Sequence, residues 1–428
     1  MKTRIFLLWL MAIGVQAQTV SVQKSPPLAV AQPAAVGVSA SRLDRIDQLI
    51  QRAMEDNVIP GAVAMICRNG KIVYYKAFGK SDVEKGIDFQ TNSIFRIASQ
   101  SKAITTTAAM MLWEEGKFNL DDPISKYIPS FKNPQVLDRF SLKDSTYTTV
   151  SAGREITVRN LITHTSGIGY GVIDGDERFK AIYHKAGITD LFTTEPVTIK
   201  ESVEKLAKLP LHHVPGEKFT YSEGLDVLGY LIEIWSGMPF DQYLQKHIFD
   251  PLGMKDTGFY QPTAKANRLV RVQFRDKDQK WKNFEGAFYD VDYPIKGAKT
   301  FFSGGAGLSS TAMDYATFLQ MFLNKGEYNG TRLLSRKTVE FMLKNQIGDL
   351  YGKDSGFGLG FAIVGEGGAT KGGVGSEGTF EWGGYFNTKY FADPQEQVIG
   401  LLFKQTQGGS GDYTSVEFRK AVFQTIDD

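Results

Sequence analysis

The sequence has few of the residues on which disulfide frameworks and metal centres depend. Only one of its 428 residues is cysteine, so no intramolecular disulfide can form. That residue, Cys67, lies in an apolar run and is expected to be a packed core thiol. The histidines, none of which shows H-x-x-x-H metal-ligand spacing, are His164, His184, His212, His213 and His247. We therefore expect no metal and no other cofactor.

An excess of charge of one sign is also missing. The chain has 49 basic and 47 acidic residues, and no basic patch stands out. Nucleic-acid binding therefore has no electrostatic support. Apolar residues make up 42% of the chain and charged residues 22%, which is typical of a globular protein with a sizeable core.

The N-terminus resembles a secretory signal peptide over residues 1–17. Lys2 and Arg4 precede an apolar run at 5–15, and residues 15–17 (VQA) resemble a small-residue cleavage site. The run is shorter than the roughly 20 residues that span a bilayer. We expect a periplasmic or secreted protein without a stable membrane anchor, with an uncleaved anchor as the alternative.

Apolar spacing predicts helices and strands at both ends of the chain. A helix is predicted between Leu43 and Ala53, and two apolar runs flank Asn69-Gly70, a strong hairpin-turn signal. Strand-like segments return at 358–364, 378–382, 390–392 and 398–403, and a helix is predicted over 415–425.

This order predicts an α+β fold, in which an antiparallel sheet is built from both chain ends and a helical domain is inserted between them. We place a flexible N-terminal segment at 18–37 and a single domain at 38–428. Within it, the sheet region covers about 38–98 and 300–428, and the helical region about 99–299.

A candidate nucleophile lies at the start of a predicted helix, in residues 95–102 (FRIASQSK). Ser99 and Lys102 are three residues apart, so they share one helix face and the lysine amine can reach the serine hydroxyl. The unpaired N–H groups of a first helical turn can also stabilise an oxyanion. The pattern predicts nucleophilic catalysis, although an N-cap serine followed by a solvated lysine is the alternative when the motif stands alone.

Two further segments can complete such a site. Tyr221 precedes a predicted helix, and a phenol near a lysine ammonium can act as a base. Trp382, Gly383 and Gly384 lie late in a predicted strand, where glycines allow a substrate to approach closely. The N–H group after this glycine pair, that of Tyr385, can complete an oxyanion hole.

Other routes to catalysis have less support. No G-x-S-x-G motif occurs, which disfavours an ordinary α/β-hydrolase, and no G-x-x-x-x-G-K-[ST] motif indicates a phosphate-binding loop. His164 can belong to a histidine-based triad, but we expect it to have a structural hydrogen-bonding role.

Taken together, the motifs resemble those of the serine β-lactamase and penicillin-binding-protein superfamily, and most of all its class C β-lactamase-like esterases, the family VIII carboxylesterases. The resemblance covers about residues 38–425 and rests on segments 95–102, 161–167, 215–222, 251–254, 304–308 and 382–384. It implies an α/β sandwich with an inserted helical domain. It also implies that Ser99 is the acylated nucleophile, that Lys102 and Tyr221 transfer its proton, and that the Ser99 and Tyr385 N–H groups bind the oxyanion.

Two departures from the β-lactamase pattern concern the substrate. The late strand carries W-G-G at 382–384 instead of K-T-G, so the lysine that would meet a substrate carboxylate is missing. The tyrosine motif ends in Glu223 instead of asparagine, and an ionised carboxylate there would repel an anion. Both changes favour neutral esters over β-lactams, and W-G-G is typical of the esterase branch.

The sequence therefore predicts an exported serine hydrolase that cleaves short acyl or aryl esters through an acyl-enzyme. The expected partner is a small-molecule ester substrate. The alternatives are a β-lactamase or D-amino-acid-type peptidase on the same fold, and a non-catalytic penicillin-binding or sensor protein.

Overall fold

The computed structural model of the chain describes residues 19–286, 288–409 and 411–428. The predicted signal peptide lies outside the described residues. Its strands are β1 Thr19–Val20, β2 Ala29–Val30, β3 Gly61–Arg68, β4 Lys71–Asp82, β5 Ile87–Asp88, β6 Phe95–Arg96, β7 Gln135–Phe140, β8 Tyr147–Ser151, β9 Gln273–Arg275, β10 Trp281–Asn283, β11 Ser309–Ser310, β12 Glu327–Tyr328, β13 Thr331–Arg332, β14 Ser355–Phe357, β15 Ala362–Val364, β16 Phe380–Gly383, β17 Thr388–Asp393 and β18 Val398–Phe403.

Among the helices, the first lies before β3 in the chain and the last lies after β18. They are α1 Ala40–Glu55, α2 Ser101–Glu114, α3 Val158–Ile162, α4 Glu177–Ala186, α5 Ile199–Leu206, α6 Gly224–Ser236, α7 Phe240–Leu244, α8 Asp250–Leu252, α9 Tyr293–Lys296, α10 Ala312–Leu323, α11 Arg336–Met342, α12 Glu366–Thr370 and α13 Thr414–Gln424. Within the described residues, no helix combines the length and the apolar character needed to cross a membrane.

The main sheet joins strands from both chain ends, as the sequence predicts. Its order is β14-β15-β16-β17-β18-β3-β4-β2, with β5 paired to β4, and only β2 runs parallel to its neighbour. The β3–β4 hairpin turns at Asn69 and Gly70, whose φ angles of 50° and 70° are both left-handed. Two consecutive positive φ angles are what a type I′ hairpin turn requires, which explains the Asn-Gly pair.

Each face of this sheet is covered by helices. Alternate residues of a strand point to opposite faces, so Ala64 and Ile66 of β3 pack in the same apolar cluster as Ile46 of α1 and Phe418 of α13. Met65 and Cys67 belong instead to the larger cluster that contains α2, α6 and α10. Cys67 is fully buried, as predicted, and burial raises the pKa of its thiol.

The N-terminal segment differs from the sequence prediction. We expected a flexible stretch at 18–37, but from Thr19 onward this part of the chain is attached to the domain. β1 pairs with β13 and β2 pairs with β4, while the Leu28 N–H donates to the Tyr328 hydroxyl at 2.9 Å. These contacts leave no local signal in the sequence, because β13 and Tyr328 lie about 300 residues away and β4 lies about 40 residues beyond β2.

Candidate active site

Ser99 lies in a turn that one distant segment, residues 308–310, holds in place. The turn is a 3-10 helix at Ala98–Gln100, directly before α2, and Ala98 has a left-handed φ of 43°. Ahead of it, β6 pairs with β11, and the Ile97 N–H donates to the Leu308 carbonyl at 3.0 Å. The serine hydroxyl is therefore presented from a fixed turn at the helix N-terminus.

Lys102 contacts Ser99 as the i, i+3 spacing predicts. Its ammonium donates to Ser99 Oγ at 3.3 Å, to the Tyr170 hydroxyl at 2.9 Å and to the Gly305 carbonyl at 2.8 Å. The side chain is buried, with 2% of its surface exposed. These three acceptors match the three donors of an ammonium group, so the amine is held in one position.

Tyr221 reaches the same hydroxyl from the loop before α6. Its O–H donates to Ser99 Oγ at 2.5 Å, and its ring centroid lies 4.6 Å from the Lys102 ammonium. The structure therefore brings Ser99, Lys102 and Tyr221 together around one oxygen. Two proton-carrying groups are in hydrogen-bond reach of the hydroxyl that would have to lose its proton.

The strand motif lies beside this turn. β15 pairs with β16 only at Phe380 and Glu381. On the side of β16 that faces β15, Trp382 and Gly383 therefore have no neighbouring strand. A Cβ atom at Gly384 would lie 2.5 Å from the Ile97 carbonyl oxygen and 2.3 Å from Thr388 Oγ1, which only glycine avoids. The backbone leading to Tyr385 can therefore approach the nucleophile turn closely.

Trp382 and Tyr385 line the cleft that opens above Ser99. The Trp382 ring lies 5.8 Å from the ring of Tyr221, and the Tyr385 hydroxyl accepts from Gln407 Nε2 at 2.8 Å. The cleft has a volume of about 590 Å³, and its lining includes Ser99, Tyr221, Trp382, Gly383, Gly384 and Tyr385. It is large enough for a small ester.

Glu223 does not take the position that the sequence predicted for it. It is buried and hydrogen-bonded to Asp190, whose carboxylate also accepts from the Gly171 N–H at 3.1 Å. Burial and then the adjacent Asp190 raise the pKa of Glu223 well above its usual range, which favours its protonated form. Glu223, which the sequence analysis placed among the substrate-binding residues, is buried and is not among the residues that line the cleft.

Tyr170 is a site residue that the sequence analysis missed. Burial, together with the nearby Tyr221 and Asp226, raises the pKa of Tyr170 well above its usual range, so the phenol that accepts from Lys102 stays neutral. It lies 68 residues from Lys102 in a loop and is one of 18 tyrosines, so no local pattern identifies it.

Asp226, in the first turn of α6, was also missed. Its Oδ1 accepts from the Gly305 N–H at 2.7 Å and from Ser303 Oγ at 2.8 Å, which fixes the loop whose Gly305 carbonyl holds Lys102. Burial raises the pKa of Asp226 to about 6, against the lowering effect of these hydrogen bonds. An acidic residue in the first turn of a helix is common for dipole reasons, which hides its role in sequence.

His164 has the structural role that we expected. Its Nδ1 accepts from the Ser222 N–H at 3.2 Å and lies 3.1 Å from Ser222 Oγ, and its ring packs on Tyr221 with centroids 4.7 Å apart. Burial and the nearby Lys102 ammonium lower the pKa of His164 well below its usual range, so it is neutral. It orients the segment that carries Tyr221.

Histidine, cysteine and acidic side chains nowhere gather into a set able to hold a metal ion in the part of the chain that the structure describes. A serine in the turn before a helix, a lysine three residues later, a tyrosine from a second segment and a glycine-containing strand beside them form an arrangement typical of serine hydrolases.

The chain belongs to the beta-lactamase family, whose family model matches residues 46–422. It is 33% identical over 380 residues to Protein Rv1367c of Mycobacterium tuberculosis, a match that covers 85% of this chain and 90% of that one. It is 29% identical to Esterase EstB of Burkholderia gladioli, over 90% of this chain and 96% of that one.

A solved structure agrees with this assignment. EstCE1, a hydrolase with promiscuous acyltransferase activity, superposes with a TM-score of 0.75 at 26% identity, over 90% of this chain and 98% of that one. The predicted family, fold class and serine-hydrolase class are confirmed.

Proposed function

We propose that the protein hydrolyses short acyl or aryl esters through an acyl-enzyme on Ser99. The observation that carries the proposal is the position of Ser99 Oγ, 2.5 Å from the Tyr221 hydroxyl and 3.3 Å from the Lys102 ammonium. The relationship to Esterase EstB and to the hydrolase EstCE1 supports an ester as substrate.

In the proposed reaction, Tyr221 has first given up its hydroxyl proton and acts as a phenolate beside the Lys102 ammonium. Ser99 Oγ then attacks the ester carbonyl carbon, and its proton passes to the Tyr221 oxygen. The N–H groups of Ser99 and Tyr385 hold the oxyanion of the tetrahedral intermediate. The bond to the alkoxy group then breaks, and the leaving alkoxide takes the proton from the Tyr221 oxygen. Water repeats the sequence at the acyl carbonyl and releases the acid.

Replacement of the nucleophile tests this proposal. Ser99→Ala is expected to abolish turnover of p-nitrophenyl butyrate and the acyl adduct seen by intact-mass spectrometry, with an unchanged circular dichroism spectrum. Ser415→Ala is the matched control, because Ser415 lines the same cleft. Retained turnover in Ser99→Ala would remove Ser99 from the nucleophile role.

The alternative functions give different results in the same assays. A clear preference in kcat/KM for nitrocefin or for a D-Ala-D-Ala peptide over the ester would replace the esterase with a β-lactamase or peptidase. Failure of a fluorophosphonate to label Ser99 would favour a non-catalytic binding protein.

We also propose that the protein is exported to the periplasm or secreted, on the basis of the leader-like residues 1–17. N-terminal sequencing of the protein recovered from a cell fraction tests this, and an intact Met1 in a membrane fraction would instead indicate an anchor.

A further inference from the structure

The cleft above Ser99 continues past β16 onto the opposite face of the sheet, toward α13. This second arm is largely apolar, and Phe391, Leu402, Val416 and Phe418 line it together with the cations Lys389 and Arg419. Both arms meet at Gly383, in the strand motif that the sequence analysis identified.

Lys389 extends across the position that a side chain at Gly383 would occupy. The two residues are direct partners in the antiparallel β16–β17 pair, so they point to the same face of the sheet. A Cβ atom at Gly383 would lie 2.4 Å from Lys389 Nζ and 2.8 Å from its Cε. The ammonium is therefore held beside the strand backbone between Trp382 and Gly384.

The other charges around this arm are paired with each other. Arg419 forms an ion pair with Glu381, and Lys404 is bound to Asp412. Among the described residues, no acidic side chain forms a salt bridge with Lys389, which is exposed to the cleft. The arm thus presents one net positive charge to whatever occupies it.

Two features of the structure suit an anionic substrate. Glu223 is buried and does not line the cleft, and the lysine that the W-G-G strand lacks has a counterpart in Lys389 of the neighbouring strand, beside Gly383. We infer that the preferred esters carry a carboxylate that pairs with Lys389. This inference rests on the proposed esterase function and specifies its substrate class.

Two pairs of esters that differ only in charge test the inference. Mono-p-nitrophenyl adipate and its neutral carboxamide place the charge on the acyl part, and 4-acetoxybenzoate and 4-acetoxybenzamide place it on the alcohol part. In the wild type, the anionic member of at least one pair is expected to have the higher kcat/KM. Lys389→Gln should lower that value about fivefold, as for an exposed ion pair, and leave the neutral member within twofold.

Two controls separate charge from structure. Lys389→Arg should retain the preference, and Lys371→Gln, which removes a lysine paired with Asp354, should leave both members unchanged. Raising the NaCl concentration to 0.5 M should narrow the difference in the wild type.

Equal effects of Lys389→Gln on charged and neutral esters, or no effect on either, would overturn the inference while leaving the esterase intact. If the wild type hydrolysed none of the four esters, the proposed function itself would fail, and the inference with it.

Discussion

Tyr221 donates to Ser99 through its hydroxyl, so that group can be removed while the ring stays packed between His164 and Trp382. Tyr221→Phe is expected to lower kcat for p-nitrophenyl butyrate by about 100-fold or more, because a positioned proton-transfer group contributes roughly that factor. KM and the melting temperature should change little. Steady-state kinetics measures kcat and KM, and thermal unfolding measures the melting temperature.

Tyr351→Phe is the control, since it removes another phenol hydroxyl from the lining of the same cleft. If Tyr221→Phe were as active as this control, Lys102 would have to act as the base without it.

Asp226 links the site to the pH dependence of stability. Its pKa is raised to about 6 in the fold from an ordinary value of 3.8, so between these values the folded state holds a proton that the unfolded state has lost. The free energy of unfolding contributed by this group is therefore present below pH 4 and lost as pH rises through 6. The full loss is about 3 kcal/mol, since each unit is worth roughly 1.4 kcal/mol.

Asp226→Asn removes this titration and keeps an oxygen for the Gly305 N–H. Relative to wild type, we expect the variant to gain about 2 kcal/mol in unfolding free energy as pH rises from 4 to 6.5, measured by urea unfolding. Asp349→Asn, at an exposed position, should show no such trend. A difference that did not change with pH would contradict a raised pKa at Asp226.

At the residue scale, the sequence predicts the groups that short spacing places together. Ser99 and Lys102 follow from one helical turn, and Tyr221 from its position before a helix. Tyr170 and Lys389 escape prediction because their contacts depend on how distant segments pack. The surroundings of Glu223 escape prediction for the same reason, since they include Asp190 in another loop.

At the scale of elements, the turn before α2 has a strained backbone. Ala98 adopts a left-handed φ of 43°, a conformation that costs an L-residue about 1–2 kcal/mol. Glycine in place of alanine relieves this strain, whereas glycine in a helix interior costs about 1 kcal/mol. Ala98→Gly should therefore be less destabilising than Ala108→Gly in α2 by at least about 1 kcal/mol, as measured by denaturant unfolding.

Both alanines are fully buried, so the loss of a methyl group is matched between the two variants. Equal destabilisation would mean that the turn is not strained. The comparison isolates the backbone conformation that presents Ser99.

The elements themselves were predicted well where their signal is local. The Asn69-Gly70 hairpin, α1, α13 and the late strands all appear, because each carries its own periodicity or turn residues. The short pairings of β1 and β2 carry no such signal, and they depend on strands that only the complete fold brings near.

At the scale of the whole molecule, the sheet and the helical region share one apolar core. Val63 of β3 and Leu401 of β18 belong to the same cluster as Ile104 of α2 and Leu228 of α6. The strands that meet at the centre of the sheet, β3 and β18, come from opposite ends of the chain. Neither region can keep its apolar surface buried without the other.

This arrangement predicts that the chain unfolds in one cooperative transition. Trp382 lies on β16 in the sheet, whereas Trp113 and Trp235 lie in α2 and α6. The fluorescence difference between wild type and Trp382→Phe therefore reports on the sheet, and circular dichroism at 222 nm reports mainly on the helices. Both signals should change at the same urea concentration. A helical signal that persisted after the sheet signal was lost would show that residues 99–299 form an independent domain. The turn that carries Ser99 would then lie at a boundary between two folding units instead of inside one.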